Sequence, residues 1–111
     1  MISLHVYFNP KSGKAVELEA NVRDGWLKAM ATQPGFISAT LLTPFSDVAL
    51  DALGASKRAT AYEVVSFWES EELRLEWVAR PIHDQVFMPL MDIADDISFT
   101  LNDVAESWNL G

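Results

Sequence analysis

The chain has 111 residues, half of them apolar, no cysteine, and sixteen Asp plus Glu against eight Lys plus Arg, a net charge of −8. That length predicts a single domain over 1–111 that buries roughly 65% of the surface its unfolded chain exposes. Disulfide frameworks, thiolate metal sites and cysteine nucleophiles are excluded, and the acidity argues against nucleic acid, whose binders concentrate positive charge.

No apolar run approaches the roughly 20 residues of a membrane span, and the opening MISLHVYFNP has no basic region before its apolar stretch. A soluble, cytoplasmic domain with no membrane partner is expected. Residues 2–8 alternate, with Ile2, Leu4, Val6 and Phe8 on one face and Ser3, His5 and Tyr7 on the other, the period of a strand. Asn9-Pro10-Lys11-Ser12-Gly13 ends it with turn chemistry. From Lys14 to about Thr32 the apolar residues Ala15, Leu18, Val22, Trp26, Ala29 and Met30 recur at helical steps. Gly25 within that helix costs about 1 kcal/mol relative to Ala, which predicts a close backbone approach beside Trp26.

Pro34-Gly35 closes the helix, and Phe36 to Thr43 reads as a second strand. Over 44–60, Asp47 is a candidate cap for a short helix from Val48 to Leu53 that stops at Gly54, with a mobile loop or lid as the alternative. Ala61 to Trp68 is rich in β-branched and aromatic residues and predicts a third strand with Tyr62, Val64, Ser66 and Trp68 on one face. Ser70 as cap, with Glu71 and Glu72 in the first turn, opens a helix to about Ala79. After Arg80-Pro81 a second helical stripe runs from Ile82 to Ala94, kinked or divided at Pro89, and Ile97, Phe99 and Leu101 alternate as a last strand.

The order β-α-β-β-α-β is the ferredoxin-like α+β arrangement, a four-stranded antiparallel sheet with helices on one face. The alternation is read as placing His5, Tyr7, Val64 and Trp68 on the other face. Such a face needs a partner, so a homodimer is expected in which two sheets pack into a barrel around a cavity. The charge is +1 through Arg58 and −9 from Ala59 onward, which reads as solvated helix and turn surfaces.

Three segments carry a family likeness: Asn9 to Lys14 after the first strand, Gln33-Pro34-Gly35-Phe36-Ile37-Ser38 before the second, and Tyr62 to Leu73 with its Trp68-Glu69-Ser70 centre. Together with Trp77-Val78-Ala79-Arg80-Pro81-Ile82-His83, these resemble the antibiotic biosynthesis monooxygenase (ABM) domains over about residues 2–104. The resemblance implies a dimeric α+β barrel. It also implies oxidation of aromatic phenols without metal or flavin, quinol oxidation, or haem degradation. The haem-degrading pattern has an asparagine in the first strand and a histidine about ten positions after the helix tryptophan. Val6 and Phe87 stand there in this chain, and both are apolar.

His83 is the first candidate base, since imidazole titrates near neutrality; its structural alternative is a hydrogen bond to Asp84, Glu76 or the helix start. Trp68 and Tyr62 are candidates to orient an aromatic ring in catalysis, with core packing as their alternative. His5, Tyr7, Trp77, Arg80 and Phe87 complete an expected substrate pocket. For His5 the alternative is a cross-strand hydrogen bond, and for Arg80 an i,i+4 pair with Glu76. No phosphate loop or helical His-Glu metal motif is present, so the expectation is a reaction with no cofactor and no metal. Two functions follow: a cofactor-independent monooxygenase of a phenolic or quinol aromatic, or a non-catalytic module that binds a small ligand.

Overall fold

The computed structural model describes residues 1–109; Leu110 and Gly111, included in the expected domain, lie outside them. Strand β1 spans Ile2–Pro10 and buries Leu4, Val6 and Phe8. The following helical run comprises α1 (Ala15–Asn21), a π-helical turn (Val22–Trp26) and α2 (Leu27–Met30). Its buried residues Leu18, Val22, Trp26 and Met30 are four positions apart. Four residues advance an α-helix about 400°, so this row would drift by roughly 40° per step. The widened turn takes up that drift and keeps all four side chains on the core.

Gly25 lies in the π turn, and the position its Cβ would occupy has no neighbour within 4 Å. The expected close approach at Gly25 is therefore absent; the glycine belongs to the wide turn. Close approach occurs instead at Gly35, which has φ +86° and would bring a Cβ to 2.6 Å from Leu73 Cδ1. Its carbonyl accepts from Glu69 N–H at 2.8 Å, so the turn before β2 (Phe36–Leu42) is seated directly on the start of the second helical layer.

Helix α3 (Asp47–Leu53) forms within 44–60. Ser46 rather than Asp47 caps it, because the Ser46 backbone is extended and its Oγ accepts from Ala49 N–H at 3.3 Å. Gly54, at φ +68°, ends it. Strand β3 (Tyr62–Trp68) is followed by α4 (Glu71–Ala79), whose cap Ser70 accepts from Leu73 N–H at 3.2 Å. Helix α5 (Pro81–Ile93) begins on Pro81 and runs through Pro89 without dividing. Pro89 and Gln85, the residue whose carbonyl it leaves without its helical donor, both lie on the exposed side of the helix.

Strand β4 (Ala94–Asp103) starts earlier than its alternating residues suggest. Opposite the two-residue step from Tyr7 to Asn9 in β1, β4 takes three residues from Ser98 to Asp95, one of them Asp96 at φ +56°. Aspartate tolerates this left-handed conformation, and Asn9 Nδ2 donates to Asp96 Oδ2 at 3.2 Å. Past this bulge, Phe99 and Leu101 pair with Val6 and Leu4 and so share their face.

The sheet is antiparallel in the order β2-β3-β1-β4, ferredoxin-like, with the helices on one face. Register corrects one expectation. Val6 pairs with Val64, Leu4 with Ser66 and Ile2 with Trp68, and directly opposed residues share a face. Val64 and Trp68 therefore point into the helix-covered core. The open face carries Ser3, His5 and Tyr7 opposite Phe67, Val65 and Glu63. Alternation defines two rows in each strand; which row meets the helices depends on pairing that alternation does not encode. No helix among the described residues is long and apolar enough to cross a membrane.

Candidate functional site

A cavity of about 380 Å³ lies between the helices and the sheet, within the usual size range of small-molecule sites. Leu4 and Val6 of β1 and Ile97 and Phe99 of β4 form its sheet wall; Trp26 and Met30, with Trp77 and Val78 of α4, form much of the opposite one. Helix α5 contributes His83, Phe87 and Met91. The lining is predominantly aliphatic and aromatic. Phe99 is 64% exposed, which leaves the β4 side apolar and open to solvent.

His83 sits in the first turn of α5, where its backbone N–H donates to Arg80 carbonyl at 3.0 Å. Its ring meets Trp77 edge-on at 5.1 Å between centroids and stacks on Phe87 at 5.5 Å, and Phe87 meets Trp26 edge-on at 5.2 Å. The four rings make one continuous aromatic wall. His83 Nδ1 lies 3.2 Å from Asp84 Oδ1. That carboxylate favours the tautomer with the proton on Nδ1, which leaves Nε2 as an acceptor.

Two polar groups of this cavity escape the sequence reading. Arg74 is only 8% exposed and lines the cavity. Its Nε donates to both Glu71 carboxylate oxygens at 2.9 and 3.1 Å, and Nη2 also bonds Oε1. In the sequence the pair has the i,i+3 spacing of a surface contact; the available signal is that Arg74 precedes the buried Trp77 by one helical step. Trp26 reads as packing. It is buried in the cavity wall, and its indole Nε1–H has no hydrogen-bond partner among the described residues.

The structure thus brings His83, Trp77 and Phe87 together and separates the other expected site residues from them. Trp68 is fully buried beside Phe36, at 5.7 Å, and donates from Nε1 to Ser66 Oγ at 3.1 Å. Tyr62 stacks on Phe8 at 6.0 Å and donates its hydroxyl to Glu19 Oε2 at 3.2 Å. Burial and the adjacent Glu19 carboxylate raise the Tyr62 phenol above its ordinary pKa, so it stays a proton donor within the core. Arg80 donates to Gln33 Oε1 at 3.1 Å and lies 3.9 Å from Glu76. It is not among the residues lining the cavity.

His5 and Tyr7 lie on the open sheet face. There Ser3 Oγ is 3.0 Å from His5 Nε2, His5 Nδ1 is 2.8 Å from Glu63 Oε2, and Arg58 donates to Glu63 Oε1 at 3.1 Å. This chain satisfies a partly buried carboxylate across three segments. Ser3, His5 and Glu63 do not line the helix-side cavity. The second cavity, about 550 Å³, lies under the 42–61 segment and is lined in part by Phe45, Leu50, Lys57 and Arg58. It is larger, yet its two cations are already held by Asp51 at 3.2 Å and Glu63 at 3.1 Å, and it contains no imidazole. Of the two cavities, the helix-side one is lined by an imidazole. Among the described residues no group of three or more His, Asp or Glu is arranged to hold a metal ion.

The sequence pattern of the antibiotic biosynthesis monooxygenase family, ABM, matches residues 1–87. No curated protein matches the chain by sequence. Among solved structures, it is similar to SnoaB, a cofactor-independent oxygenase from Streptomyces nogalater, at 18% identity and TM-score 0.75 over 96% of this chain and 94% of that one. It is also similar to MhuD, a heme-degrader from Mycobacterium tuberculosis, at 23% identity and TM-score 0.71 over 98% of this chain and 100% of that one. At these identities the two likenesses establish the shared fold.

Proposed function

Because the chain belongs to the antibiotic biosynthesis monooxygenase family, we propose that it is a cofactor-independent monooxygenase that oxidises a phenolic or quinol aromatic in the helix-side cavity. The observation that carries this reading is His83, an imidazole whose Nε2 has no hydrogen bond among the described residues, set between Trp77 and Phe87 in an apolar pocket. The aromatic wall orients a planar ring, and Nε2 takes the substrate proton. The resulting anion passes one electron to dioxygen, and the two radicals combine into a peroxide that recovers the proton. Loss of water then leaves a carbonyl at the ring carbon that carried hydrogen, a C–H in the phenol and a CH₂ in its keto tautomer. One oxygen atom enters the product and the other leaves as water, so the substrate supplies all the reducing electrons.

The haem-degrading alternative draws less support. Both positions at which that pattern has asparagine and histidine line the cavity, as Val6 and Phe87, and neither offers a hydrogen bond or a ligand atom. Oxygen uptake against a panel of naphthols, anthrones and quinols tests the proposal: consumption of one dioxygen per carbonyl formed is expected with at least one class. A flat response across the panel, with an aromatic retained on the protein in native mass spectrometry, overturns it in favour of a binding module.

The open sheet face, with the rings of His5 and Tyr7 beside Val65 and Phe67, is proposed to pack on a second copy. Sedimentation at micromolar concentration is then expected to give about 25 kDa, twice the 12.4 kDa chain. A monomer mass rejects the pairing.

A further inference from the structure

A buried donor without an acceptor costs free energy that folded proteins rarely leave uncompensated. Trp26 is such a case: its indole Nε1–H is buried, has no partner among the described residues, and belongs to a side chain that lines the helix-side cavity. We infer that Trp26 is a specificity-determining residue whose Nε1–H donates to an acceptor oxygen of the bound aromatic. This rests on the proposal that the cavity is the ligand site, though not on the reaction carried out there.

The chemistry of the walls narrows the oxygen. Indole N–H is a donor only, as is guanidinium, and the Arg74 Nη1 has no hydrogen bond among the described residues while its Nε and Nη2 are held by Glu71. Such donors suit a carbonyl or an ionised oxygen. A hydroxyl proton on the ligand needs an acceptor, and Nε2 of His83 supplies it at a ring that stacks on Phe87, the same ring that Trp26 meets edge-on. The site therefore favours an aromatic that bears an acceptor oxygen on the Trp26 side over the same carbon skeleton without one.

The test compares α-tetralone with tetralin, two bicyclic skeletons that differ chiefly by one carbonyl, in the absence of turnover. In ¹H–¹⁵N spectra of the full chain, the indole signal lost in Trp26→Phe identifies Trp26. With α-tetralone that signal is expected to move downfield and to exchange more slowly with water, whereas tetralin leaves both unchanged. Affinity for α-tetralone exceeds that for tetralin by roughly two- to tenfold, the worth of one hydrogen bond, and Trp26→Phe removes the difference while tetralin binding persists. If Trp26→Phe does not fold, the losses in Trp68→Phe, Trp77→Phe and Trp108→Phe assign the other three indole signals, and the shift of the remaining one in the unaltered protein still decides. Equal affinities with an unmoved Trp26 signal, or binding of neither compound, overturn the inference. A carbonyl preference without oxygen uptake on the phenol and quinol panel preserves it and defeats the monooxygenase reading; oxygen uptake without the preference does the reverse.

Discussion

His83→Gln is expected to lower the rate of the proposed oxygen-coupled oxidation by about 10²- to 10⁴-fold, the range contributed by a positioned general base, and to change the affinity for the aromatic little. The two effects separate because the ring-binding surface is supplied by Trp77, Phe87 and Trp26, none of which is altered. Glutamine preserves a polar side chain of similar reach, so the first turn of α5 keeps its packing, but it cannot take the substrate proton. Stopped-flow oxygen consumption together with equilibrium titration under nitrogen reads the two quantities independently. Asp84→Asn gives a smaller loss, since Asp84 only biases the imidazole tautomer from an exposed position. If His83→Gln retains turnover within about threefold of the parent, the proton is taken elsewhere and the imidazole is a wall residue.

Much of the fold is legible in the residues because each element carries a local signal of its own. Leu4, Val6 and Phe8 alternate; Ser70 with Glu71 and Glu72 marks a helix start; Gly54 marks a stop. What these signals lack is the phase between elements. Tyr62, Val64, Ser66 and Trp68 form one row on any reading, yet only the pairing of Val6 with Val64 assigns that row to the helices. The π turn is hidden for a related reason: a four-residue apolar spacing fits an ordinary helix approximately, and the accumulated rotation shows only when Leu18 and Met30 must reach the same core.

Legibility of the site follows the same division. His83 and Trp77 stand out as residue types with chemistry, and their six-residue separation across a helix break does not reveal that their rings meet at 5.1 Å. Arg74 and Trp26 are concealed differently, by patterns that have ordinary explanations. An i,i+3 ion pair is ordinarily a solvated contact, and a tryptophan in an apolar stripe is ordinarily core. Only burial of the guanidinium, and the lack of an acceptor for the indole, sets them apart.

Trp68 supplies the second large effect, on stability. Its side chain is fully buried at the end of β3, opposite Ile2 of β1 and Phe36 of β2, so it joins three strands at one edge of the core. Trp68→Ala is expected to cost about 3–5 kcal/mol from lost burial and the cavity left behind. The Ser66 hydroxyl, itself fully buried, also loses the Nε1–H that it accepts, adding about 1 kcal/mol or more. Against the roughly 5–15 kcal/mol total of a small domain this is a large fraction, read as a fall in the urea midpoint with an unchanged slope. Trp68→Phe keeps most of the ring and loses the donor, so it falls between parent and alanine. Because Trp68 does not line the helix-side cavity, the folded Trp68→Phe protein is expected to turn over at the parent rate. A loss of turnover with the urea midpoint unmoved contradicts this assignment and returns Trp68 to the reacting site.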